Sequence, residues 1–215
     1  MRKLLSLVVV ALMCATAQAQ IVESSSVSFK RTKKEPSTTT WFLRAGLNMA
    51  TITDDVDRNL GYQAVVGFQK PMTSFGLYWG MDFGLGTRGF KESYNDEEIS
   101  LLTHNVQVSP FNIGWKYNVV GDLAVDLHLG AFALYDYAGK YKYSYEGEEE
   151  SYGLGDIEGF QRFDAGLNAG FGIWYGRFNL DFTFQRGFVP SGEDVEGENN
   201  DDFTNNFMIR LGVAF

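Results

Sequence analysis

The chain has 215 residues, 45% of them hydrophobic, 15% aromatic and 21% charged, with 24 Gly, one Cys and a formal net charge of -9. That composition suits one ordinary domain and excludes a disordered chain, a collagen-like rod and a disulfide-stapled miniprotein. The acidic balance also argues against nucleic-acid binding, because duplex affinity rests on phosphates neutralised by clustered Lys and Arg.

Residues 1–19, MRKLLSLVVVALMCATAQA, set Arg2 and Lys3 before an apolar run and end on Ala17-Gln18-Ala19, the small-x-small cleavage pattern of a secretory signal peptide. The apolar run is about 14 residues, shorter than the ~20 a membrane-spanning helix needs. Met13 precedes Cys14 where lipoprotein signals resemble one another in carrying Gly, Ala or Ser, so lipidation of Cys14 is the weaker reading. Cleavage after Ala19 removes two positive charges and the sole cysteine, taking the net charge from -9 to -11 and leaving no thiol chemistry. Residues 20–40 lack apolar periodicity, carry the basic cluster Lys30, Arg31, Lys33 and Lys34, and read as a flexible periplasmic lead-in.

From Trp41 to Phe215 the pattern becomes strict alternation, the period-two mark of strands with two unlike faces. The first segment sets Trp41, Leu43, Ala45, Leu47 and Met49 against Phe42, Arg44, Gly46 and Asn48. The second sets Leu60, Tyr62, Ala64, Val66 and Phe68 against Gly61, Gln63, Gly67 and Gln69. The third has Phe75, Leu77, Trp79, Met81, Phe83 and Leu85 opposite Gly76, Tyr78, Gly80, Asp82, Gly84 and Gly86. In the fourth, about Leu102 to Tyr117, the apolar parity slips between Val108 and Phe111 with Pro110 at the slip, which predicts a bulge. The fifth alternates Leu123, Val125, Leu127, Leu129, Ala131 and Ala133 with Asp126, His128 and Gly130. The sixth sets Phe163 to Ile173 against Asp164, Gly166, Asn168, Gly170 and Gly172. The seventh pairs Phe178, Leu180, Phe182 and Phe184 with Asn179, Asp181, Thr183 and Gln185. The eighth pairs Phe207, Ile209, Leu211, Val213 and Phe215 with Met208, Arg210, Gly212 and Ala214.

The connections alternate between tight turns (Lys70 to Ser74, Asn118 to Asp122, Gly176-Arg177) and longer polar loops (Thr53 to Asn59, Thr87 to Glu98, Ala138 to Gly159, Arg186 to Asp202). Short turns on one rim and long loops on the other mark a transmembrane antiparallel barrel, with turns periplasmic and loops extracellular. A soluble lipocalin-like barrel is the rival. Glycines crowd the polar face, where a solvated exterior would gain nothing from them and a narrow lumen needs the room. Aromatics of the apolar face gather at both segment ends: Trp41, Phe68, Phe75, Tyr117, Tyr175, Phe178 and Phe215 at the turns, Tyr135, Tyr137, Phe163, Phe184 and Phe207 at the loops. Two such girdles belong at the two headgroup levels. The fold class predicted is all-β, an eight-stranded antiparallel up-and-down transmembrane barrel over 41–215, with its apolar face in outer-membrane lipid.

The eight-segment plan, the stretch from Val108-Ser109-Pro110-Phe111 to Lys116-Tyr117 and the final strand FMIRLGVAF resemble the small outer-membrane β-barrel domain proteins of the Bacteroidetes PorT-like type. The chain is also similar to eight-stranded barrels of the outer-membrane protein A group. The resemblance implies that the terminal strand is read by the barrel-assembly machinery, with Phe215 as the signal residue. Strand four departs slightly, since Ser109 stands as an insertion before the proline. The family is functionally diverse and implies no single task.

Arg44, Asp82, Arg88, Asp126, His128, Asp164, Asp181 and Arg210 are the candidate lumen network. Eight strands enclose an interior just wide enough for side chains, so paired, packed charges are favoured over an ion path. A narrow pore or transport component is the alternative. His104 and His128 are the sole histidines. A lipid hydrolase built on His104 with a nearby Ser or Glu98 is the least favoured reading, because one histidine is not a positioned catalytic set. No catalytic, cofactor or metal motif is present. The acidic loops lack calcium-loop spacing and read as a solvated face. Tyr141, Tyr143, Tyr145 and Tyr152 interleave with those acids in the third loop and are candidate contacts for an envelope protein, since tyrosine is favoured at interfaces. The basic lead-in is a second candidate contact, and no nucleic-acid partner is expected.

Overall fold

In the computed structural model, period-two alternation becomes nine strands: β1 (Thr40–Thr51), β2 (Asp57–Pro71), β3 (Leu77–Tyr94), β4 (Glu97–Val120), β5 (Leu123–Tyr145), β6 (Glu148–Gly153), β7 (Phe163–Tyr175), β8 (Phe178–Gly187) and β9 (Asn205–Ala214). The structure describes residues 38–51, 57–94, 97–145, 148–157, 159–190 and 203–215. The predicted signal peptide, the lead-in up to residue 37 and the acids from Glu193 to Asp202 lie outside them.

Eight strands close into a ring. β1 to β5 pair in succession, β5 pairs onward with β7, then β8 and β9 follow, and β9 returns to β1. All pairs are antiparallel. Stepping around the ring from Ala50 through Asn206, Gln185, Asn168, Gly130, Asn112, Gly80 and Gln69, the register re-enters β1 at Thr40, ten residues from its start. With ~3.3 Å per residue and ~4.8 Å between strands, that stagger tilts the strands by about 40° at a backbone radius of about 8 Å. The ten-residue strands β8 and β9 then climb about 25 Å along the axis, the height of the apolar band of a transmembrane barrel.

The two faces are as alternation predicts. Phe42, Arg44, Asn48, Gln63, Val65, Asp126, Trp174, Asp181 and Arg210 are buried inside. Leu43, Leu47, Phe83, Leu127, Leu167 and Phe171 stand outside, and Leu129 and Leu211 expose 65% and 69% of their surface. A continuous apolar belt of this kind is unstable in water and stable in hydrocarbon. The closed sheet also leaves no unpaired edge around the belt. The chain therefore forms a transmembrane barrel of the outer-membrane type. Aromatic contacts mark the tight-turn rim, where Trp41, Phe68 and Trp79 rings lie 5.5 and 5.2 Å apart in sequence around the wall. Trp115 there donates from Nε1 to the Phe75 carbonyl at 2.7 Å.

The bulge falls where Pro110 predicts it. Register shifts occur between Gly80 and Asp82 on β3 and between Val108 and Phe111 on β4. Ser109 stays buried in the lumen, and Phe111 resumes the outward face. Proline brings no N–H to the ladder, so the extra residue costs the sheet no donor. In the two-residue turns, Gly121 and Gly176 take φ of 53° and 57°, left-handed values that match the twist of a tight hairpin and favour glycine.

Two of the four long connections differ from expectation. Thr87 to Glu98 and most of Ala138 to Gly159 are not loops: β3, β4 and β5, 18, 24 and 23 residues long in all, run on past the barrel wall, and β6 adds a fourth strand to them. Tyr141, Tyr143 and Tyr145 alternate with Lys140, Lys142 and Ser144, and tyrosine suits strands. The local pattern is thus the same as in the barrel, with aromatic and charged residues replacing apolar and small ones.

Candidate functional site: a charged lumen beneath a projecting sheet

The lumen holds two charge clusters. In the first, Asp181 accepts from Arg210 Nε at 2.9 Å, lies 3.3 Å from Arg44 Nη1, and has His128 Nε2 at 3.7 Å. His128 Nδ1 meets Asp126 Oδ1 at 2.9 Å, and Tyr78 Oη and Trp174 Nε1 donate to the same carboxylate. Lys116 Nζ sits 3.4 Å from the centroid of the Trp174 ring, a cation held on an aromatic face. Arg210 Nη1 also donates to Gln63 Oε1 at 2.7 Å, and Gln63 Nε2 donates to Gln107 Oε1 at 3.2 Å, which carries the network across the barrel.

The second cluster lies toward the long-loop rim. Arg88 Nε donates to Asp136 Oδ2 at 2.7 Å, and Nη1 donates to Asp164 Oδ2 at 3.1 Å and to Thr204 Oγ1 at 3.0 Å. Thr103 Oγ1 donates to Asp136 Oδ1 at 2.7 Å, and Arg88 Nη2 reaches the Gln161 carbonyl. Just beyond, Leu154, Ile157 and Phe160 pack over Leu101, Phe90 and Tyr141. Phe90 and Leu101 lie one inward position further along β3 and β4 than Arg88 and Thr103.

Of the eight predicted lumen residues, Arg44, Asp126, His128, Asp181 and Arg210 come together in the first cluster, and Arg88 and Asp164 in the second. Asp82 joins neither and accepts from Asn112 Nδ2 at 3.0 Å. Asp136, Thr103, Tyr78, Trp174 and Lys116 were missed. Asp136 lies between the outward Tyr135 and Tyr137, so the same alternation that placed those rings pointed it inward. Four cations (Arg44, Arg88, Lys116, Arg210) thus face five carboxylates (Asp82, Asp126, Asp136, Asp164, Asp181), a near balance that buried charge requires. Between the side chains remain cavities of about 20 Å³ beside Arg44 and His128 and about 10 Å³ beside Asn48 and Asn105. Volumes of that order hold about one water each.

Strand glycines make this packing possible. A Cβ on Gly172 would fall 2.7 Å from Asp126 Oδ2, one on Gly170 would strike the His128 ring, and one on Gly114 would strike the Tyr78 ring. Gly114→Val is accordingly expected to push Tyr78 off Asp126 and to lower stability by about 1 to 3 kcal/mol, the usual cost of overpacking. Urea unfolding followed by tryptophan fluorescence measures it, and an unshifted midpoint would show that the lumen has slack at this level.

Outside the wall, Tyr62 Oη lies 3.1 Å from His104 Nδ1, with the Tyr137 ring 6.4 Å from the imidazole. Ser100 and Glu98 are four and six residues along the same strand, ~13 and ~20 Å away at 3.3 Å per residue, and Glu98 pairs with Lys91 at 2.8 Å. The residues of the hydrolase reading are not brought together. Among the described residues no three His, Cys, Asp or Glu side chains gather to hold a metal ion.

The projecting sheet segregates its side chains by face. Rows running from β3 to β6 on the inner side are Phe90, Leu101, Tyr141, Tyr152, then Glu92, Ile99, Tyr143, Glu150. Between them on the outer side runs Lys91, Ser100, Lys142, Ser151, with Glu98 and Glu149 in the next outer row. All four predicted contact tyrosines therefore share the inner face. Lys142 Nζ donates to Glu149 Oε1 at 2.6 Å, a hydrogen bond that holds the Glu149 carboxyl below its ordinary value and Lys142 above its own. What this exposed pair adds to the sheet is present at neutral pH and fades as pH falls through the depressed Glu149 value. Tyr152 Oη donates to Glu150 Oε2 at 2.6 Å, which raises the Tyr152 phenol.

No family model and no curated protein sequence matches the chain. Among solved structures, Neisserial surface protein A (NspA) aligns over 83% of this chain and 96% of its own, at 13% identity and a TM-score of 0.43. Ail, the attachment invasion locus protein of Yersinia pestis, aligns over 82% and 97% at 16% identity and 0.41. The outer membrane enzyme PagL aligns over 80% and 98% at 11% identity and 0.49. These neighbours are small eight-stranded outer-membrane barrels. At such identities and scores they transfer no task, and the barrel stands on its own register and facing.

Proposed function

We propose that this chain is an integral protein of the cell outer membrane, a barrel whose lumen is plugged by its own charges and whose extracellular sheet contacts a protein partner of the envelope. The observation that carries the reading is the two-sided division of labour. Inside, balanced charge clusters leave room for about one water per cavity. Outside, four tyrosines are held in register on a stiff sheet rather than on a loop. The barrel then serves as an anchor in outer-membrane lipid, and the reading assigns it no catalysis. The PorT-like affiliation rests on Val108 to Tyr117 and the last strand.

Planar-bilayer recording of the purified barrel tests the plug, and no discrete conductance steps are expected. Reproducible steps abolished by lumen substitutions would replace this reading with the pore. A mild-detergent pull-down from the native membrane, with boiled and unboiled samples on one gel, tests the contact role. A partner recovered with wild type and lost with Tyr143→Ser/Tyr145→Ser supports it, and a heat-shifted barrel recovered alone speaks against it.

Phe215 belongs to the same proposal as the residue read by the barrel-assembly machinery. Its ring is exposed at 70%, while its backbone exchanges hydrogen bonds with Trp41 at 2.9 and 3.2 Å. Deleting Phe215 is expected to reduce the heat-modifiable form in membranes several-fold. Wild-type amounts would remove the role.

A further inference from the structure

The tip of the projecting sheet's inner face gathers carboxylates in two successive rows. Glu92 and Glu150 lie in one row, and Glu97 and Glu148 in the next, with Tyr143 and Tyr145 between them. Lys91, Lys140 and Lys142, the lysines of the projecting part, stand on the opposite face, where two are tied to Glu98 and Glu149. Those two rows therefore bear four carboxylates and no lysine or arginine. The lower part of that face is filled by Leu154, Ile157 and Phe160, so the charged part is the tip.

A second feature lies beside it. β6 pairs with β5 along one edge, and among the described residues its other edge pairs with nothing. Its inward side chains are Glu148, Glu150 and Tyr152, one every second residue, with Tyr145 and Tyr152 each 45% exposed. An extended segment laid along an open edge gains ladder hydrogen bonds and presents every second side chain to the same face. Neighbouring same-face positions on both strands are then ~7 Å apart, so a cation at alternate positions meets a carboxylate at each step.

We propose that the β6 edge and the acidic tyrosine face bind an extended partner-protein segment with arginine at alternate positions, its guanidinium groups seated on Glu148 and Glu150 and against the neighbouring tyrosine rings. The proposal rests on the reading of this sheet as the contact surface and names the partner's chemistry. Arginine fits better than lysine because a planar guanidinium stacks on a tyrosine ring while bonding a carboxylate with two N–H groups.

The test uses the full chain in nanodiscs and fluorescent decapeptides built from an Arg-Thr repeat, a Lys-Thr repeat and a Glu-Thr repeat, read by anisotropy at low and physiological salt. The Arg-Thr peptide is expected to bind at least tenfold tighter than the Lys-Thr peptide, and the Glu-Thr peptide not at all. Glu148→Gln/Glu150→Gln is expected to weaken Arg-Thr binding at least tenfold, and replacing the peptide threonines by proline, which removes the ladder N–H groups, is expected to do the same. Lys91→Gln/Glu98→Gln, on the other face, is expected to leave it unchanged. Equal binding of the arginine and lysine peptides, or binding indifferent to Glu148→Gln/Glu150→Gln, would overturn the proposal as simple counter-ion attraction. If no peptide binds while the pull-down still yields a partner sensitive to the tyrosine substitutions, the arginine proposal falls and the contact surface stands. If both fail, both fall.

Discussion

Asp181→Ala is expected to destabilise the barrel by about 3 to 5 kcal/mol, the cost of leaving buried cations without their counter-charge. Asp181 is fully buried; Arg210 and Thr183 donate hydrogen bonds to its carboxylate and Arg44 forms an ion pair with it at 3.3 Å, so the three partners come from three strands. Removing it strands two guanidinium groups beside a cavity of about 20 Å³, space for about one water and too little to solvate them. Folding into detergent micelles followed by urea titration gives the shift directly. Asp181→Ala/Arg210→Met should recover part of the loss, because it removes a charge along with its partner. A loss below about 1 kcal/mol would mean that water already reaches the site, and the plug reading would have to be given up with it.

Leu127→Lys should cost about 2 to 4 kcal/mol by a different route, since a lysine at mid-bilayer must be dehydrated or must drag water into hydrocarbon. Leu127 stands on the outward face opposite Trp115 and Phe171, and exposes 48% of its surface to the surroundings. The heat-modifiable fraction in liposomes should fall sharply, while His128→Gln one position away, on the lumen side, should not block insertion. Normal insertion of Leu127→Lys would invert the facing of the whole barrel.

The facing was legible in the sequence because one residue's parity fixes that of its whole strand, and Leu127, His128 and Leu129 leave no ambiguity. Pro110 announced its own bulge, since a residue without an N–H has few places in a sheet. The partners in the lumen were not legible. That Arg88 meets Asp136 and Asp164, from 48 and 76 residues away, depends on the ten-residue stagger of the ring, a property of all strands at once. Asp136 was passed over because apolar alternation thins out after Ala133. The projecting sheet reads as loops in the sequence for a related reason: beyond the membrane both faces meet water, so Tyr141 to Tyr145 alternate between two kinds of polar residue rather than between apolar and polar.

The seam between β1 and β9 has a consequence for how the protein comes into being. Phe42 pairs with Ala214 and Trp41 with Phe215, so the first strand of the barrel finds one of its two neighbours only in the last strand of the barrel. Until that last strand has been synthesised and delivered, β1 offers an open row of donors and acceptors that any other strand can occupy. The molecule therefore cannot be finished piece by piece as it leaves the ribosome. The ring closes only when its first and last strands meet.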